Sequence, residues 1–443
     1  KRYERYKDSG VDWIGEIPEH WELRKIKQIG MLSAGGVNKK IEEGEELFKS
    51  VHYMDVYKNS GKAIGNDDDY LVISATQSQA KNCTLKKGDV LFTSSSETPD
   101  DIGHAVSISE DLQQTLYGYH LIRLRLDRDI PVDYSYRKYM FNYYIRSYFS
   151  SRAQGITRYG LKYDDYKEAV VFIPPINEQN TIANFLDQKT AEIDGLIADK
   201  EKLIELLQEK RQAIITEAVT KGLNPNVRMK DSGIEWIGEI PEHWDIRRIK
   251  YLANVRNIKA SDSDNDKTYV GLENIEPKTG KLLINNNDEQ QIIGETANIF
   301  KKGDVLFGKL RPYLAKCIVA NFNGRCTSEL LVLRTTSNIL PEYLYFFMLS
   351  PIFIDVVNSS TYGAKMPRAS WDFIGNLKIP LPNIKEQEEI VECLIKLTKK
   401  IDDLISDIST QIQKLKEYRQ SLISEAVTGK IDVREFGSIS EVI

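Results

Sequence analysis

The amino-acid sequence predicts an α/β protein built as an internal repeat, in which two similar domains are separated by two long, paired α-helices. Three observations support this fold class. Residues 7–21 (KDSGVDWIGEIPEHW) return as residues 230–244 with 13 of 15 positions identical. Short strand-like runs punctuated by Gly and Pro follow each copy. A long stretch of helically spaced apolar residues then closes each copy.

Three further matches indicate that the whole chain is duplicated. They keep the same order, and the offset between the copies falls only from 223 residues (Asp8 to Asp231) to 208 residues (Arg211 to Arg419). A period of about 200 residues is too long for a solenoid repeat. We therefore expect one module, a globular body plus a helix, to be present twice. The matched segments are 86–92 with 301–307 (both KKGDVLF), Ile173-Pro174 and Glu178-Gln179 with Ile379-Pro380 and Glu386-Gln387, and 211–220 (RQAIITEAVT) with 419–428 (RQSLISEAVT).

Composition excludes several classes of protein. The chain has 443 residues, 41% of them hydrophobic and 28% charged, which is typical of globular domains and not of disordered or collagen-like chains. The longest apolar runs, such as residues 70–75, are far shorter than the ~18 residues of a membrane span. Residues 1–10 are polar, unlike a signal peptide. We expect no membrane partner and no export.

Cysteine and charge content narrow the chemistry further. Four scattered cysteines form no C-x-x-C pair and five histidines form no H-E-x-x-H motif, so neither a zinc site nor a disulfide framework is expected. Scattered thiols fit a reducing, cytoplasmic location. The net charge of −5 argues against non-specific polycation-type binding. It does not exclude a nucleic-acid partner, because binding depends on where basic residues cluster and not on the net charge of the chain.

Each body is predicted to combine short strands, turns and one proline-initiated helix. Segment 13–18 (WIGEIP) is interpreted as a domain cap, because Gly and Pro mark a turn and Trp favours burial. Ligand stacking by Trp stays the alternative. Residues 90–92 are predicted to form a buried strand, and 121–126 (LIRLRL) a strand with one solvent-facing side. The counterpart strand is 330–334, and the predicted helices are 131–147 and 341–349.

A long helix follows each body. Its apolar residues alternate steps of four and three, as in the a and d positions of a heptad repeat. A helix of ~40 residues spans roughly 60 Å, which no single body can cover, so we expect the two helices to pack together as a coiled coil. Packing of each helix flat on its own body is the alternative. The seam comprises Ile182, Leu186, Ile193, Leu196, Leu203, Leu207, Ile214 and Ala218 in the first helix and Ile390, Leu394, Leu397, Ile401, Leu404, Ile408, Leu415, Tyr418 and Leu422 in the second.

Stop signals set the predicted boundaries. Lys221-Gly222 with Pro225 ends the first helix, and Gly429 ends the second. Residues 435–443 are expected to fray. The chain is thus divided into a first domain (1–176), a first helix (177–222), a second domain (223–383), a second helix (384–430) and a tail (431–443).

Motifs of catalysis are absent from the sequence. It contains no phosphate-binding G-x-x-x-x-G-K-[ST] loop and no G-x-S-x-G nucleophile elbow. Asn224-Pro225-Asn226 lacks the second proline and the aromatic residue of a base-methyltransferase tetrapeptide. The acidic run 67–69 is interpreted as a solvated loop, with a cation site as the weaker alternative. Because no acid, base or metal constellation is repeated, we expect neither catalysis nor a cofactor.

The bodies offer basic and hydrogen-bonding loops instead. In the second copy, residues 308–316 (GKLRPYLAK) follow the KKGDVLF segment, and in the first copy the same place holds 93–99 (TSSSETP). Cations beside a proline-stiffened turn suit phosphate contact and base reading. A second pair of glycine-led basic segments, 155–162 and 363–370, precedes the long helices. Ordinary surface loops stay the alternative for each single residue. The candidate DNA-binding residues are Thr93, Ser94, Ser95, Ser96, Arg158, Tyr159, Lys162, Lys309, Arg311, Tyr313, Lys316, Lys365 and Arg368.

These motifs carry a resemblance. The chain resembles the specificity (S) subunit of Type I restriction-modification systems. The motifs that carry this resemblance are Ile14-Gly15-Glu16-Ile17-Pro18 with Trp21 and its copy, GDVLF at 88–92, LRPY at 310–313, and the prolines that precede Glu178-Gln179 and Glu386-Gln387. The resemblance covers essentially the whole chain. It implies that each body is a target-recognition domain for one half of a split double-stranded DNA site.

The resemblance also implies partners. The two helices would form an antiparallel coiled coil that fixes the distance between half-sites and docks two methyltransferase (M) subunits. Those subunits would carry S-adenosylmethionine and the adenine-flipping chemistry, and restriction (R) subunits would join them. The S subunit itself would catalyse nothing. A duplicated coiled-coil scaffold without DNA specificity is the competing hypothesis, and an enzyme with an unrecognised site is the third.

Overall fold

The computed structural model describes residues 1–11, 14–66, 68–261, 264, 266–283, 297–363 and 365–436. The chain divides into two compact units. Unit 1 comprises Lys1–Asp199 with Gln411–Ile443, and unit 2 comprises Lys200–Thr410. Each unit therefore contains one body, part of the helix that follows it, and part of the other long helix.

The body of unit 1 is a mixed α/β domain. Its strands and helices are β1 (Tyr6–Asp8), β2 (Glu16–Pro18), β3 (Glu22–Lys25), β4 (Gly30–Ala34), β5 (Glu46–Val51), α1 (Tyr53–Lys58), β6 (Ala63–Ile64), β7 (Leu71–Ala75), α2 (Gln77–Asn82), β8 (Thr84–Leu85), β9 (Val90–Thr93), β10 (Ser95–Ser96), β11 (Ala105–Ile108), β12 (Leu112–Tyr117), β13 (Leu121–Leu126), α3 (Tyr134–Tyr139), α4 (Ile145–Arg152), β14 (Tyr159–Gly160), α5 (Tyr163–Glu168) and β15 (Val170–Ile173).

Two larger sheets form the centre of this body. One has five strands in the order β4-β13-β9-β11-β6, and the other has four in the order β7-β5-β12-β8. Strand β9 (VLFT) is buried at all four residues, as expected for a central strand of apolar and β-branched residues. The predicted strand 90–92 is thus confirmed.

The body of unit 2 repeats this plan. Its strands and helices are β16 (Met229–Asp231), β17 (Glu239–Pro241), β18 (Asp245–Arg248), β19 (Ala253–Val255), β20 (Tyr269–Val270), β21 (Asn298–Phe300), β22 (Val305–Gly308), β23 (Cys317–Val319), β24 (Gly324–Cys326), β25 (Leu330–Thr335), α7 (Pro341–Leu349), α8 (Pro351–Ser359), α9 (Trp371–Asn376) and β26 (Lys378–Leu381). Its described strands form sheets ordered β19-β25-β22-β23 and β20-β24-β21.

The repeated KKGD turn has the same structural role in both bodies. Asp89 is buried, accepts a hydrogen bond from the Lys86 amide (2.9 Å) and binds the Arg125 guanidinium at 2.8 Å. In unit 2, Asp304 is likewise buried and binds Arg256 at 2.7 Å. A buried carboxylate needs such partners, so the motif positions the start of β9 and β22.

The prediction that one side of β13 faces solvent is wrong. Arg123 is only 4% exposed, and its guanidinium donates to the carbonyls of Asn82 (3.1 Å) and Thr84 (2.7 Å). Alternation of apolar and basic residues indicates an exposed face only when nothing covers the basic side. Here the end of α2 and the start of β8 supply the hydrogen-bond acceptors and cover this side.

The first predicted proline-initiated helix also differs from expectation. It begins at Tyr134 instead of Pro131, because the Asp133 side chain caps it by accepting from the amides of Ser135 and Tyr136. It then passes through a π-helical turn, Met140–Tyr144, and continues as α4. In unit 2, α7 does begin at its proline, Pro341, as predicted.

Two long helices complete the chain, α6 (Ile176–Lys221) and α10 (Ile384–Val427). After them come Gly222 and Gly429, with φ of 76° and 72°, in the left-handed region that favours glycine at a helix end. The predicted pairing of the helices is confirmed in each unit. Asp194 of α6 pairs with Arg419 of α10 at 2.9 Å in unit 1, and Arg211 pairs with Asp402 at 3.0 Å in unit 2. The pairing is antiparallel, because the contact residue on α10 moves from 419 back to 402 as the contact residue on α6 moves forward from 194 to 211.

Burial along the helices follows the predicted seam in part. Four seam positions, Leu196, Leu203, Leu404 and Tyr418, are 44–57% exposed. The most regular burial is that of an isoleucine series with a period of 11 residues, which shares four members with the seam. Eleven residues complete three turns of a straight helix, whereas a heptad drifts by ~20° per repeat. Ile215, Ile390 and Leu394 also join the core of body 2, so one stripe serves both the partner helix and the body. The series is Ile182, Ile193 and Ile215, with Ile204 half-buried, and Ile390, Ile401, Ile412 and Ile423.

The remaining seam positions vary in burial. Leu207, Ile214, Leu397 and Leu415 are half-buried, whereas Leu186, Ala218, Leu394, Ile408 and Leu422 are buried.

Each Trp-containing anchor contacts the start of a long helix. Trp21 is fully buried, and its indole N–H donates to Glu178 near the start of α6 (2.8 Å). Trp244 donates to Glu386 near the start of α10 (2.9 Å). In each copy, the Trp of the IPEHW motif therefore binds the Glu of the Glu-Gln motif. Trp13 lies outside the described residues.

The start of the predicted frayed tail is ordered. Glu435 pairs with Lys1 at 2.7 Å, and Phe436 packs edge-on against Phe185. Residues 437–443 lie outside the described part of the chain. The limits predicted for the domains stay a prediction.

Candidate nucleic-acid interface

Two separate sequence segments meet in unit 1. Strand β10 pairs with β14, with Ser95 opposite Gly160. The Leu161 amide donates to the Ser94 carbonyl at 3.0 Å, and Arg158 Nε donates to Ser95 Oγ at 3.1 Å. The two candidate DNA-binding segments of the first copy, 65 residues apart in sequence at the Ser95–Gly160 pair, therefore form one surface feature.

The same two segments meet in unit 2 and in the same register. Leu310 pairs with Arg368, and these are the repeat counterparts of Ser95 and Gly160. The Arg311 amide donates to the Pro367 carbonyl (2.8 Å), and the Ala369 amide donates to the Lys309 carbonyl (2.9 Å). A shared backbone frame with different side chains is thus present in both bodies.

Only some candidate residues of unit 1 reach solvent. Arg158 and Lys162 are exposed, whereas Ser94 and Tyr159 are half-buried. The side chains of Thr93, Ser95 and Ser96 are buried. Thr93 Oγ1 accepts from the His104 amide at 2.9 Å, so it supports the loop from below. Arg158 and Lys162 are the side chains of this set that could meet a phosphate.

In unit 2 the accessible candidates are Arg311, Tyr313 and Lys365, with Tyr313 47% exposed. Lys309 is half-buried. Lys316 donates to the Leu272 carbonyl at 2.6 Å, and burial lowers the pKa of its amine. The Arg368 guanidinium donates a hydrogen bond to the Glu329 carboxylate at 3.0 Å, and this bond raises the pKa of Arg368. Lys316 and Arg368 therefore support the loop more than they present charge.

An aromatic extension of the unit 1 surface was missed from the sequence. The Arg158 guanidinium lies 5.9 Å above the Tyr53 ring, and Tyr53 stacks on Tyr57 across one turn of α1. Tyr57 donates to Asp101 at 2.9 Å, and this hydrogen bond raises the pKa of Tyr57. The i, i+4 tyrosine spacing was visible in the sequence, but nothing there linked α1 to a loop about 100 residues later.

A buried network anchors this extension. His104 bridges Ser60 and Asp101, both at 2.8 Å. Burial lowers the pKa of His104, and the nearby Arg146 guanidinium lowers it further. These contacts fix the position of Asp101 beneath Tyr57. The role of the network is to hold the exposed tyrosines, because the imidazole itself is almost fully covered.

The described residues include no group of three or more His, Cys, Asp or Glu side chains arranged to hold a metal ion. Asp68 of the acidic run accepts from the Gly65 amide (2.9 Å) and from Tyr70 (3.0 Å), which makes it part of a turn, while Asp67 lies outside the described residues. Among the described helices, none is long and apolar enough to cross a membrane.

Comparison with known proteins gives consistent matches. The family profile described as "Type I restriction modification DNA specificity domain" matches residues 18–206 and 241–414. The Type I restriction enzyme EcoDI specificity subunit of Escherichia coli is 23% identical over 298 residues, 64% of this chain and 67% of that protein. The MjaIX specificity subunit of Methanocaldococcus jannaschii is 25% identical over 449 residues, 95% and 96% of the two chains.

A solved structure has the same fold. A chain described under "complex assembly and conformational transition of the type I R-M system" aligns with a TM-score of 0.68 at 14% identity, covering 94% of this chain and 99% of the other. The two profile matches fall one on each copy of the internal repeat.

Proposed function

Because the chain belongs to the family of Type I restriction-modification DNA specificity subunits, we propose that each body reads one half of a bipartite DNA site through the paired segments described above. The chain is the DNA-recognition subunit of such a system, and catalysis belongs to the methyltransferase (M) and restriction (R) subunits with which it works. The scaffold hypothesis finds no support in the matches. We place the protein in the cytoplasm, where chromosomal DNA is accessible.

The observation that carries this proposal is the shared register of the two paired segments. Ser95 opposite Gly160 and Leu310 opposite Arg368 are equivalent positions of the repeat. The frame is common, but the exposed side chains differ: Arg158 with stacked tyrosines in unit 1, and Arg311 with Tyr313 in unit 2. Since bases are read by side-chain chemistry, the two half-sites should differ in sequence.

The residues proposed to meet DNA are the exposed ones. Arg311 and Lys365 in unit 2, and Arg158 and Lys162 in unit 1, supply positive charge for phosphate or guanine contacts. The net charge of −5 means that these cations act as local clusters. We infer that M subunits contribute further phosphate contacts, so binding is best measured on the complex.

Replacing Arg311 with Ala tests this assignment. Arginine can bind guanine through two hydrogen bonds, and loss of such a contact lowers affinity for the cognate half-site roughly tenfold or more. The measurement is a gel shift of the complex with M subunits on cognate DNA and on DNA with one half-site scrambled. Lys302→Ala is the matched control, because Lys302 is exposed at the other end of β22. Equal affinity of the Arg311→Ala and Lys302→Ala complexes would rule out Arg311 as a contact.

The outer faces of the long helices are proposed to dock two M subunits. Leu203 and Leu206 on α6, with Ile395 and Leu404 on α10, are 44–51% exposed. Exposed apolar side chains concentrated on paired helices are typical of an interaction surface. Burying one leucine at an interface contributes roughly 1.5–3 kcal/mol, so several such residues are enough to anchor a partner helix.

The double variant Leu203→Glu, Leu206→Glu is expected to lose stable association with M subunits while it stays folded, because both side chains are already exposed. Co-purification and size-exclusion chromatography would measure the loss. Leu71→Glu in body 1 is the control, since Leu71 is 47% exposed and lies on strand β7, not on a long helix. An unchanged complex with the double variant would place the docking surface elsewhere.

A further inference from the structure

Backbone strain is concentrated at one place in unit 2. In the described part of the chain, five residues other than glycine have positive φ, and three of them are Lys278 (63°), Arg311 (51°) and Ala315 (47°). Such a backbone conformation is unfavourable for a residue with a side chain and persists only where the surrounding structure imposes it. Strain of this kind collects at functional sites. Two of these residues, Arg311 and Ala315, are the first and last residues of the turn that exposes the side chains of Arg311 and Tyr313.

Lys278 contacts the far end of the turn that Arg311 begins. The Lys278 amide donates to the carbonyls of Leu314 and Ala315, at 3.2 Å each. Residues 276–281 therefore form a brace beneath the turn 311–315. Pro312 is buried in this turn while Arg311 and Tyr313 remain exposed. The conformation that exposes these two side chains thus depends on the position of the brace.

The brace is held by the helix pair. Arg211 of α6 is 4% exposed, and its guanidinium donates to the carbonyls of Lys278 (3.0 Å) and Thr279 (3.4 Å). Its Nε donates to Asp402 of α10 at 3.0 Å. From the body side, the Tyr345 hydroxyl donates to the Thr279 carbonyl at 2.9 Å. One guanidinium thereby joins both helices to the brace.

The repeat supplies a natural comparison. Arg419 is the counterpart of Arg211 in the segment RQSLISEAVT, and it makes the equivalent ion pair with Asp194 in unit 1. Its other hydrogen bond in the described structure goes to the Tyr143 hydroxyl at 3.5 Å. The ion pair is therefore common to both units, and the link to a strained loop is a feature of Arg211.

We propose that Arg211 is a positioning residue for DNA reading by body 2: it holds residues 276–281 against the turn 311–315 and so sets the placement of Arg311 and Tyr313. The inference rests on the proposed function of that turn. It goes beyond it by making the accuracy of one reading surface depend on a side chain of the helix pair. A lysine at position 211 keeps the charge but lacks the planar fork that reaches two carbonyls and a carboxylate together.

The test compares Arg211→Lys with Arg419→Lys in the complex with M subunits. Binding is measured on cognate DNA and on DNA with either half-site scrambled, and the unfolding temperature is recorded for each variant. Arg211→Lys is expected to lower discrimination about tenfold at one half-site, the one that Arg311→Ala weakens, and to leave the other unchanged. Arg419→Lys should leave discrimination at both half-sites unchanged.

A second variant moves the brace without touching Arg211. Gly280 has φ of 69°, and a Cβ there would lie 2.4 Å from the Tyr345 hydroxyl and 2.6 Å from the Cys317 carbonyl. Gly280→Ala should therefore reproduce the loss at the same half-site while M subunits still bind.

The outcomes separate the two proposals. If Arg311→Ala weakens one half-site but Arg211→Lys and Gly280→Ala do not, positioning by Arg211 is wrong and the proposed function stands. If Arg211→Lys weakens both half-sites alike, or Arg419→Lys has the same effect, the role is general stability and the inference fails. If Arg311→Ala changes nothing, the failure lies in the proposed function of the turn.

Discussion

Inserting four residues into each long helix, after Asp199 in α6 and after Thr410 in α10, is expected to lengthen the spacer of the recognised site by one or two base pairs. Both insertions fall where the two compact units meet in the sequence. Four helical residues add about 6 Å and rotate the following segment by about 40°. One base pair adds about 3.4 Å and about 35°. The bases read should not change, because neither body is altered.

The adenine-methylation motif of cells that contain the variant and its M subunit would measure both properties at once. A two-residue insertion at the same points is the control. It rotates the buried isoleucine stripe by about 200° and should abolish assembly. A motif with new bases and the old spacing would contradict the proposed division between reading bodies and spacing helices.

Replacing Trp21 with Ala is expected to destabilise unit 1 by about 3–5 kcal/mol. Trp21 is fully buried and lies edge-on to Tyr3, with ring centroids 5.8 Å apart. The truncation leaves a cavity and removes an N–H donor from Glu178, whose side chain is 5% exposed. A buried carboxylate that loses a donor adds to the cost.

Urea unfolding followed by fluorescence and circular dichroism would measure the loss. Trp21→Phe is the conservative control, since it keeps most of the apolar volume and loses only the hydrogen bond to Glu178. Trp244→Ala in unit 2 should show a similar loss, because Trp244 donates to Glu386 in the same way. A change below about 1 kcal/mol in Trp21→Ala, the size of an average substitution, would show that the cap does not hold the helix.

Repetition made part of the architecture predictable. Because matched segments must have matched environments, the copies of IPEHW, KKGDVLF and Glu-Gln indicated shared anchors before any contact was known. The structure explains each of them: Trp21 with Glu178, and Asp89 with Arg125. The candidate loops were also recognisable, because they follow the same KKGDVLF segment in both copies, with hydroxyl side chains in the first copy and cations in the second.

Burial could not be read from local pattern alone. The sequence LIRLRL suggested a solvent-exposed face, yet Arg123 is buried and donates to carbonyls at the end of α2 and the start of β8. The heptad placed Leu203 and Leu404 in the seam, yet both are exposed. Residues of the long helices also pack into the core of body 2, so the heptad alone does not decide which helix positions are covered.

By itself, the sequence determined that the chain is a duplicated α/β module with long helices and without a repeated catalytic set, because such features depend on local order and composition. Tertiary structure decided which distant segments meet: Ser95 with Gly160, Leu310 with Arg368, and Arg211 with the carbonyls of Lys278 and Thr279. The reason is that backbone amides and carbonyls pair through space, and the side-chain sequence does not record which of them will be neighbours.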